Sequence, residues 1–246
     1  MKTINLDSGL VAACNFEDLT APLPTVFYFT LSKEASLSID PFNQFTNYLS
    51  LYGIRVISFD LPFHTDLNSF HKAIDQWSEH LLNGHDILTP FFEKVSQSID
   101  ELIEKKLIDK EYLAVAGLSR GAFVACHIAA INPHISTILG FAPLTCLGYI
   151  KEFHNTSFNS LDLTSIIPKL IGKQLRFYIG NQDLRVGTEK CFEFVFDLAK
   201  ANREAKIRPN EVELFIELSQ GHQGHGTLPP TFEKGALWLQ NIIKTV

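Results

Sequence analysis

From about residue 25 onward, short runs rich in Val, Ile, Phe and Tyr alternate with stretches of helical periodicity, and this alternation constrains the fold more than any other feature. The runs are TVFYFTL (25–31), IRVISFDL (54–61), YLAVAG (112–117), STILGFA (136–142), LRFYIG (175–180) and VELFIEL (212–218). They are almost continuously apolar, which predicts strands covered on both faces. Between Leu88 and Leu107, apolar residues recur at Phe91, Phe92, Val95, Ile99, Leu102, Ile103 and Leu107, with Glu and Lys between them. That spacing predicts one helical face. Phe192, Val195, Phe196 and Ala199 predict a second, and Phe232, Ala236, Leu239, Ile242, Ile243 and Val246 a third. Shorter helices are expected in PFNQFTNYLSLYG, closed by Gly53, and in FHKAIDQWSEHLL, closed by Asn83-Gly84. The fold class is therefore α/β, a mostly parallel central sheet with helices on both faces. Residues 1–246 read as a single domain, with the irregular stretch 145–173 as a small cap or lid.

Composition narrows the function. A net charge of −6 and no Lys/Arg run leave no electrostatic footprint for nucleic acid. The longest weakly polar stretch, Ile138 to Ile150, contains Pro143 and falls short of the ~20 residues of a membrane span. Cys14, Cys126, Cys146 and Cys191 form no C-x-x-C pair and read as core positions rather than a disulfide framework, which suits a reducing compartment. Val11-Ala12-Ala13-Cys14 loosely resembles a lipoprotein cleavage box, but Asn5, Asp7 and Ser8 interrupt the apolar run such a signal needs. A cytoplasmic location is expected.

The chemistry centres on YLAVAGLSRGAFVACHIAA, where Ser119 stands between Gly117 and Gly121 at a strand-to-helix turn. Two readings compete: Ser119 caps the helix, or it is a nucleophile whose hydroxyl is pushed beyond the strand end, with small neighbours two residues to either side. A serine nucleophile needs a histidine to take its proton and a carboxylate to orient that histidine. In a parallel sheet both come from loops at the C-terminal strand ends. Asp183, just past LRFYIG, is the candidate acid, with an Asx-turn as the alternative. Asp162 and Asp197 are less well placed, one in the irregular stretch and the other inside a helix. After VELFIEL comes SQGHQGHGTLPP. His222 lies closer to the strand end and is the favoured base; His225 is the alternative base. The two could also ligate a metal, but no third ligand cluster is visible, so no metal is expected.

The order Ser119, Asp183, His222 is that of the α/β-hydrolases. From about residue 24 to the end, the chain resembles a serine hydrolase of the α/β-hydrolase superfamily. IGNQDLRVGT followed by a Gly-His loop is similar to the prolyl-oligopeptidase-like and dienelactone-hydrolase-like branches. The resemblance implies a Ser-Asp-His acyl-transfer site, a covalent acyl-enzyme and no cofactor. It also implies an oxyanion hole built from the Arg120 N–H and a donor in the loop after TVFYFTL, at Leu31 or Ser32. That loop, TLSKEASLSIDPF, lacks the His-Gly glycines of many esterases. His64, in FDLPFH, either lines the pocket or is a satisfied surface histidine. His127 reads as structural, and His71, His80, His85, His134 and His154 show no spacing that demands a role. Arg120 and Arg185 flank the site in sequence.

The expected activity is hydrolysis of a small-molecule carboxylic ester. Thioester or amide cleavage and acyl transfer use the same machinery. A non-catalytic member of the fold, binding a ligand or a protein, is the competing class.

Overall fold

The computed structural model describes residues 1–65, 70–153, 156, 158 and 160–243. Eight strands form one sheet: β1 (Lys2–Asn5), β2 (Val11–Cys14), β3 (Leu23–Phe29), β4 (Arg55–Phe59), β5 (Ile108–Leu118), β6 (Thr137–Phe141), β7 (Gln174–Gly180) and β8 (Val212–Glu217). Their order is β1-β2-β4-β3-β5-β6-β7-β8. The first two strands run antiparallel to their neighbours and the rest pair in parallel. The helices are α1 (Lys33–Ser38), α2 (Gln44–Leu51), α3 (Phe70–Leu82), α4 (Thr89–Glu104), α5 (Arg120–Ile131), α6 (Ile167–Leu170), α7 (Thr188–Glu204) and α8 (Pro229–Ile243).

Successive strand residues face opposite layers, as the two-residue period requires. Phe27, Phe29, Ile57, Val115 and Phe177 pack with α4, α5 and α7. Val26, Tyr28, Val56, Ala116 and Phe141 pack with α2 and α8. Within α4 the buried residues are Phe91, Phe92, Val95, Ser98, Ile99 and Leu102, five of them on the face expected from the sequence, whose Ile103 and Leu107 are partly buried.

Four features depart from the sequence reading. Residues 1–14, outside the stretch that carries the family resemblance, form the β1-β2 hairpin; its Ala12, Ala13 and Cys14 are fully buried against the sheet. Helix α1 occupies a segment read as loop, begun by the Ser32 hydroxyl, which accepts the Ala35 N–H at 3.0 Å. Strand β8 is an edge strand: Phe215 and Ile216 remain 40% and 52% exposed, so its apolar run is not covered on both sides. In α7 the buried stripe is Cys191, Phe194, Val195 and Leu198. Phe192 and Phe196 lie outside it and stack on each other in solvent with centroids 5.9 Å apart.

Between β6 and β7 the described residues form 3-10 turns at Leu147–Tyr149, Lys151–Phe153 and Leu163–Ile166, then α6. Leu147, Phe153, Leu163 and Leu170 are buried in the same layer as α4, α5 and α7. His154 and Val246 lie outside the described residues. Among the described residues no helix is long and apolar enough to cross a membrane.

Candidate active site

Parallel strands β5, β7 and β8 end on the same side of the sheet, and the chain leaves each through a tight turn. After β5 the turn is sharpest. Ser119 has φ 56 and ψ −118, a conformation non-glycine residues rarely adopt. It is held by backbone hydrogen bonds, its N–H to Phe141 O at 2.8 Å and its carbonyl from Ala122 at 3.0 Å and Leu144 at 3.2 Å. The two glycines are required by space. A Cβ on Gly117 would collide with the Gly121 and Ala122 backbone, and one on Gly121 with the Phe29 carbonyl. Ser119 occupies the N-cap position of α5, yet its side chain makes no capping bond.

Its hydroxyl is engaged elsewhere. Ser119 Oγ lies 2.8 Å from His225 Nε2, and His225 Nδ1 lies 2.7 Å from Asp183 Oδ2. The side chain of Asp183 is fully buried. Its Oδ1 accepts the N–H groups of Arg185 and Val186, each at 3.0 Å, an arrangement that holds the carboxylate in one orientation. The Asx-turn alternative for Asp183 is thus present as well: the turn orients the carboxylate that meets His225.

His222 is not the residue brought to Ser119. It is exposed, within the turn His222–Gly224 at the tip of the loop. Distance from the strand end along the sequence misleads here because the loop folds back on itself. Gly221, Gln223 and Gly224 have φ of 69, 55 and 74, and the Gly226 N–H returns to Gln220 O at 2.7 Å. The reversal restores His225 to the level of the strand end. Bonds to the acid loop secure it, from Leu184 N–H to Gln223 O at 2.8 Å and from Gln182 N–H to Ser219 Oγ at 2.6 Å. A sequence signal for His225 existed in its two flanking glycines. Gly224 packs against the Gln182 carbonyl and Gly226 against the Gln220 carbonyl, where no side chain fits.

No protein-family model matches the sequence, and no curated protein matches it. Solved structures do. The chain superposes on the protein TT1662 of Thermus thermophilus over 100% of its own length and 99% of that chain, with TM-score 0.71 at 17% identity. It superposes on an esterase of Pyrococcus furiosus over 98% and 89% of the two chains, with TM-score 0.66 at 14% identity. On oligopeptidase B of Leishmania major the figures are 98% of this chain, 35% of that one, TM-score 0.62 and 15% identity. The chain has the α/β-hydrolase fold. At these identities the likeness speaks for the fold, and the chemistry has to be argued from the site.

In this α/β-hydrolase fold Ser119 and His225 open onto a cavity of about 260 Å³. Its walls are mostly apolar, with Pro41, Phe42, Leu118 and Phe232 prominent, and Leu31 and Arg120 also line it. Among the described residues, the N–H groups of Leu31 and Arg120 have no backbone acceptor. The Leu31 carbonyl accepts the Leu61 N–H at 3.0 Å, which ties the loop after β3 to the one after β4.

His64 is in that second loop and is completely buried, neither at the surface nor lining the cavity. Its Nδ1–H donates to Pro62 O at 2.7 Å and its Nε2 accepts from Arg120 Nη1 at 2.9 Å. Burial and the Arg120 charge keep it neutral, with its pKa lowered to about 4. Arg185 forms a two-pronged ion pair with Glu152, at 2.7 and 3.0 Å. Asp162 receives the Leu147 N–H at 2.7 Å and Asp197 is exposed on α7, so neither approaches His225. His127 donates from Nε2 to Leu161 O at 2.8 Å, stacks on Phe92, and is also held near pKa 4 by burial. Among the described residues no group of three His, Cys, Asp or Glu side chains is placed to hold a metal.

Proposed function

We propose that this protein is a serine hydrolase that cleaves carboxylic esters through Ser119, His225 and Asp183. One observation carries the reading: a hydroxyl at a helix N-cap is withheld from capping and committed to a histidine that is itself fixed by a buried carboxylate. A structural serine at that position would bond to the first turn of α5.

The arrangement supports the following sequence of steps. Ser119 Oγ attacks the substrate carbonyl carbon as its proton passes to His225 Nε2, and Asp183 stabilises the resulting imidazolium. Negative charge develops on the former carbonyl oxygen, and the N–H groups of Arg120 and Leu31, which have no backbone acceptor among the described residues, are assigned to receive it. Ser32 is the less suited donor, since it does not line the cavity as Leu31 and Arg120 do. The intermediate collapses as His225 returns the proton to the leaving alcohol, which departs and leaves an acyl-Ser119 ester. Water, deprotonated by His225, attacks that ester and repeats the steps to release the carboxylic acid and restore Ser119. The cavity lies below the range of roughly 300–1,000 Å³ typical of drug-sized ligand sites, which suits a small substrate.

The test is labelling by a fluorophosphonate probe, wild type beside Ser119→Ala, with hydrolysis of nitrophenyl esters of increasing acyl length. Labelling and turnover lost together in Ser119→Ala support the proposal. A wild-type protein that neither labels nor hydrolyses any ester overturns it and leaves a binding module on the same fold.

A further inference from the structure

The reaction above uses the backbone N–H of Arg120 and leaves its side chain without a task. That side chain belongs to a residue lining the cavity with Ser119 and His225, and it is partly buried. A guanidinium carries five N–H donors. Among the described residues one of them is engaged, and its acceptor is the neutral His64 ring. The other arginines near the sheet are answered differently. Arg185 is paired to Glu152, Arg176 to Glu213, and Arg55 is enclosed by the carbonyls of Asp18, Ala21 and Leu107.

The residue next to the nucleophile thus carries a positive charge with no carboxylate in ion-pair contact among the described residues. Burial and the neighbouring Arg185 charge lower its pKa to about 10, and Glu152 and Asp75 offset this only in part. It stays charged at neutral pH, in surroundings where an unanswered charge is costly. A role as a strut for the 61–65 loop needs one donor and no net charge, so it does not account for a guanidinium.

We infer that the substrate carries a carboxylate in addition to its scissile ester, and that the Arg120 guanidinium receives it while the apolar part fills the cavity. The planar fork of Arg matches a carboxylate with two parallel hydrogen bonds, and the ligand charge would relieve the repulsion from Arg185. The inference rests on the serine-hydrolase reading, which it sharpens to anionic small esters with Arg120 as the specificity-determining residue.

Two matched substrate pairs test it, one with the charge on the acyl side and one on the alcohol side. The first is nitrophenyl butyrate against nitrophenyl hemiglutarate, and the second is phenyl butyrate against 4-carboxyphenyl butyrate. In at least one pair, wild-type kcat/KM should favour the anionic member by about tenfold or more. Arg120→Gln should collapse that ratio towards one, and Arg120→Lys should keep part of it. General damage to the elbow lowers both members of a pair together and cancels in the ratio. No preference in either pair, or a preference that survives Arg120→Gln, overturns the inference. Calorimetric titration of glutarate into Ser119→Ala, beside neutral glutaramide, reads the same site without turnover. Binding of glutarate alone supports the inference; equal binding, or none, overturns it. A protein that binds glutarate through Arg120 but cleaves no ester refutes the hydrolase reading alone, and a working esterase indifferent to charge refutes this inference alone.

Discussion

Replacing Asp183 by Asn removes a charge and keeps the shape, and the hydrogen bonds around the side chain dictate how the amide must sit. In the native protein Oδ1 accepts two backbone N–H groups and Oδ2 accepts the His225 Nδ1–H. An amide has one accepting arm and one donating arm. Turning the NH₂ towards Arg185 and Val186 would leave two buried donors unpaired. At about 1–3 kcal/mol each, that is about 2–6 kcal/mol, enough to keep the carbonyl arm on the backbone pair in about 97% of molecules or more. The NH₂ then faces His225 Nδ1, which has to become an acceptor. The imidazole proton moves to Nε2, where it blocks uptake of the Ser119 proton. Asp183→Asn should therefore fold normally, with kcat reduced by about 10⁴-fold. Ester turnover and the rate of fluorophosphonate labelling should fall in parallel, with circular dichroism and Tm near wild type. Activity within tenfold of wild type in a folded Asp183→Asn protein would refute the reasoning.

The choice of base is checked by a pair of variants. His225→Gln should lower kcat by about 10⁴-fold or more, while His222→Gln, altering an exposed loop tip, should stay within about threefold; the reverse result restores His222. Gly121→Ala pushes a methyl into the Phe29 carbonyl, and the backbone shift it forces should cost about 3 kcal/mol or more, seen as a Tm lowered by about 6–12 °C. An unchanged Tm would mean that the elbow is looser than it stands here. His64 and His127 both have folded pKa values depressed from 6.5 to about 4, so the unfolded chain binds more protons between those limits. Their contribution to stability is complete above about pH 6.5, declines as pH falls through the window and levels off below 4. Urea unfolding at pH 7 and pH 5 should show the loss, and His127→Gln should shrink it; an identical pH difference in that variant would remove His127 from the account.

The parallel part of the sheet was legible because buried strands read as continuous apolar runs, and those runs fall on β3 to β7; β8 carries such a run although it is a half-exposed edge strand. The β1-β2 hairpin was not, because KTIN and VAAC are only four residues each, too short to stand out as strands, and are made stable by pairing β2 to β4. Helix α7 was recognised but rotated. Phe192 and Phe196 complete an apolar stripe by spacing, yet Cys191, Phe194 and Leu198 complete another, and the exposed aromatic pair belongs to the stripe that stays outside. Within the site, Ser119 and Asp183 were legible as turn positions at strand ends. The base was ambiguous because register within a glycine-rich loop depends on where φ turns positive, and Gln223, a residue with a Cβ, does so as well as two glycines. The Arg120 to His64 contact joins residues 56 apart, beyond the reach of any local pattern.

Ser119 is the place where local preference and global fold disagree. In the acid turn an Asx turn supplies the geometry, and in the histidine loop Gly221 and Gly224 share it with Gln223. At Ser119 a β-carbon is held at positive φ, at a cost of about 1–3 kcal/mol. The backbone hydrogen bonds of its N–H and carbonyl and the fit of Gly117 and Gly121 over-determine that conformation. Glycine at position 119 would relax the strain and preserve the turn, so the fold alone gives no reason for a serine. The strained turn instead carries the hydroxyl away from the N–H groups of α5 and delivers it to His225. A Ser119→Gly variant, which keeps the turn and lacks the hydroxyl, should therefore be at least as stable as wild type while losing both labelling and turnover. A clear loss of stability in Ser119→Gly would mean that the serine is there for the fold, and the argument for a nucleophile would fail.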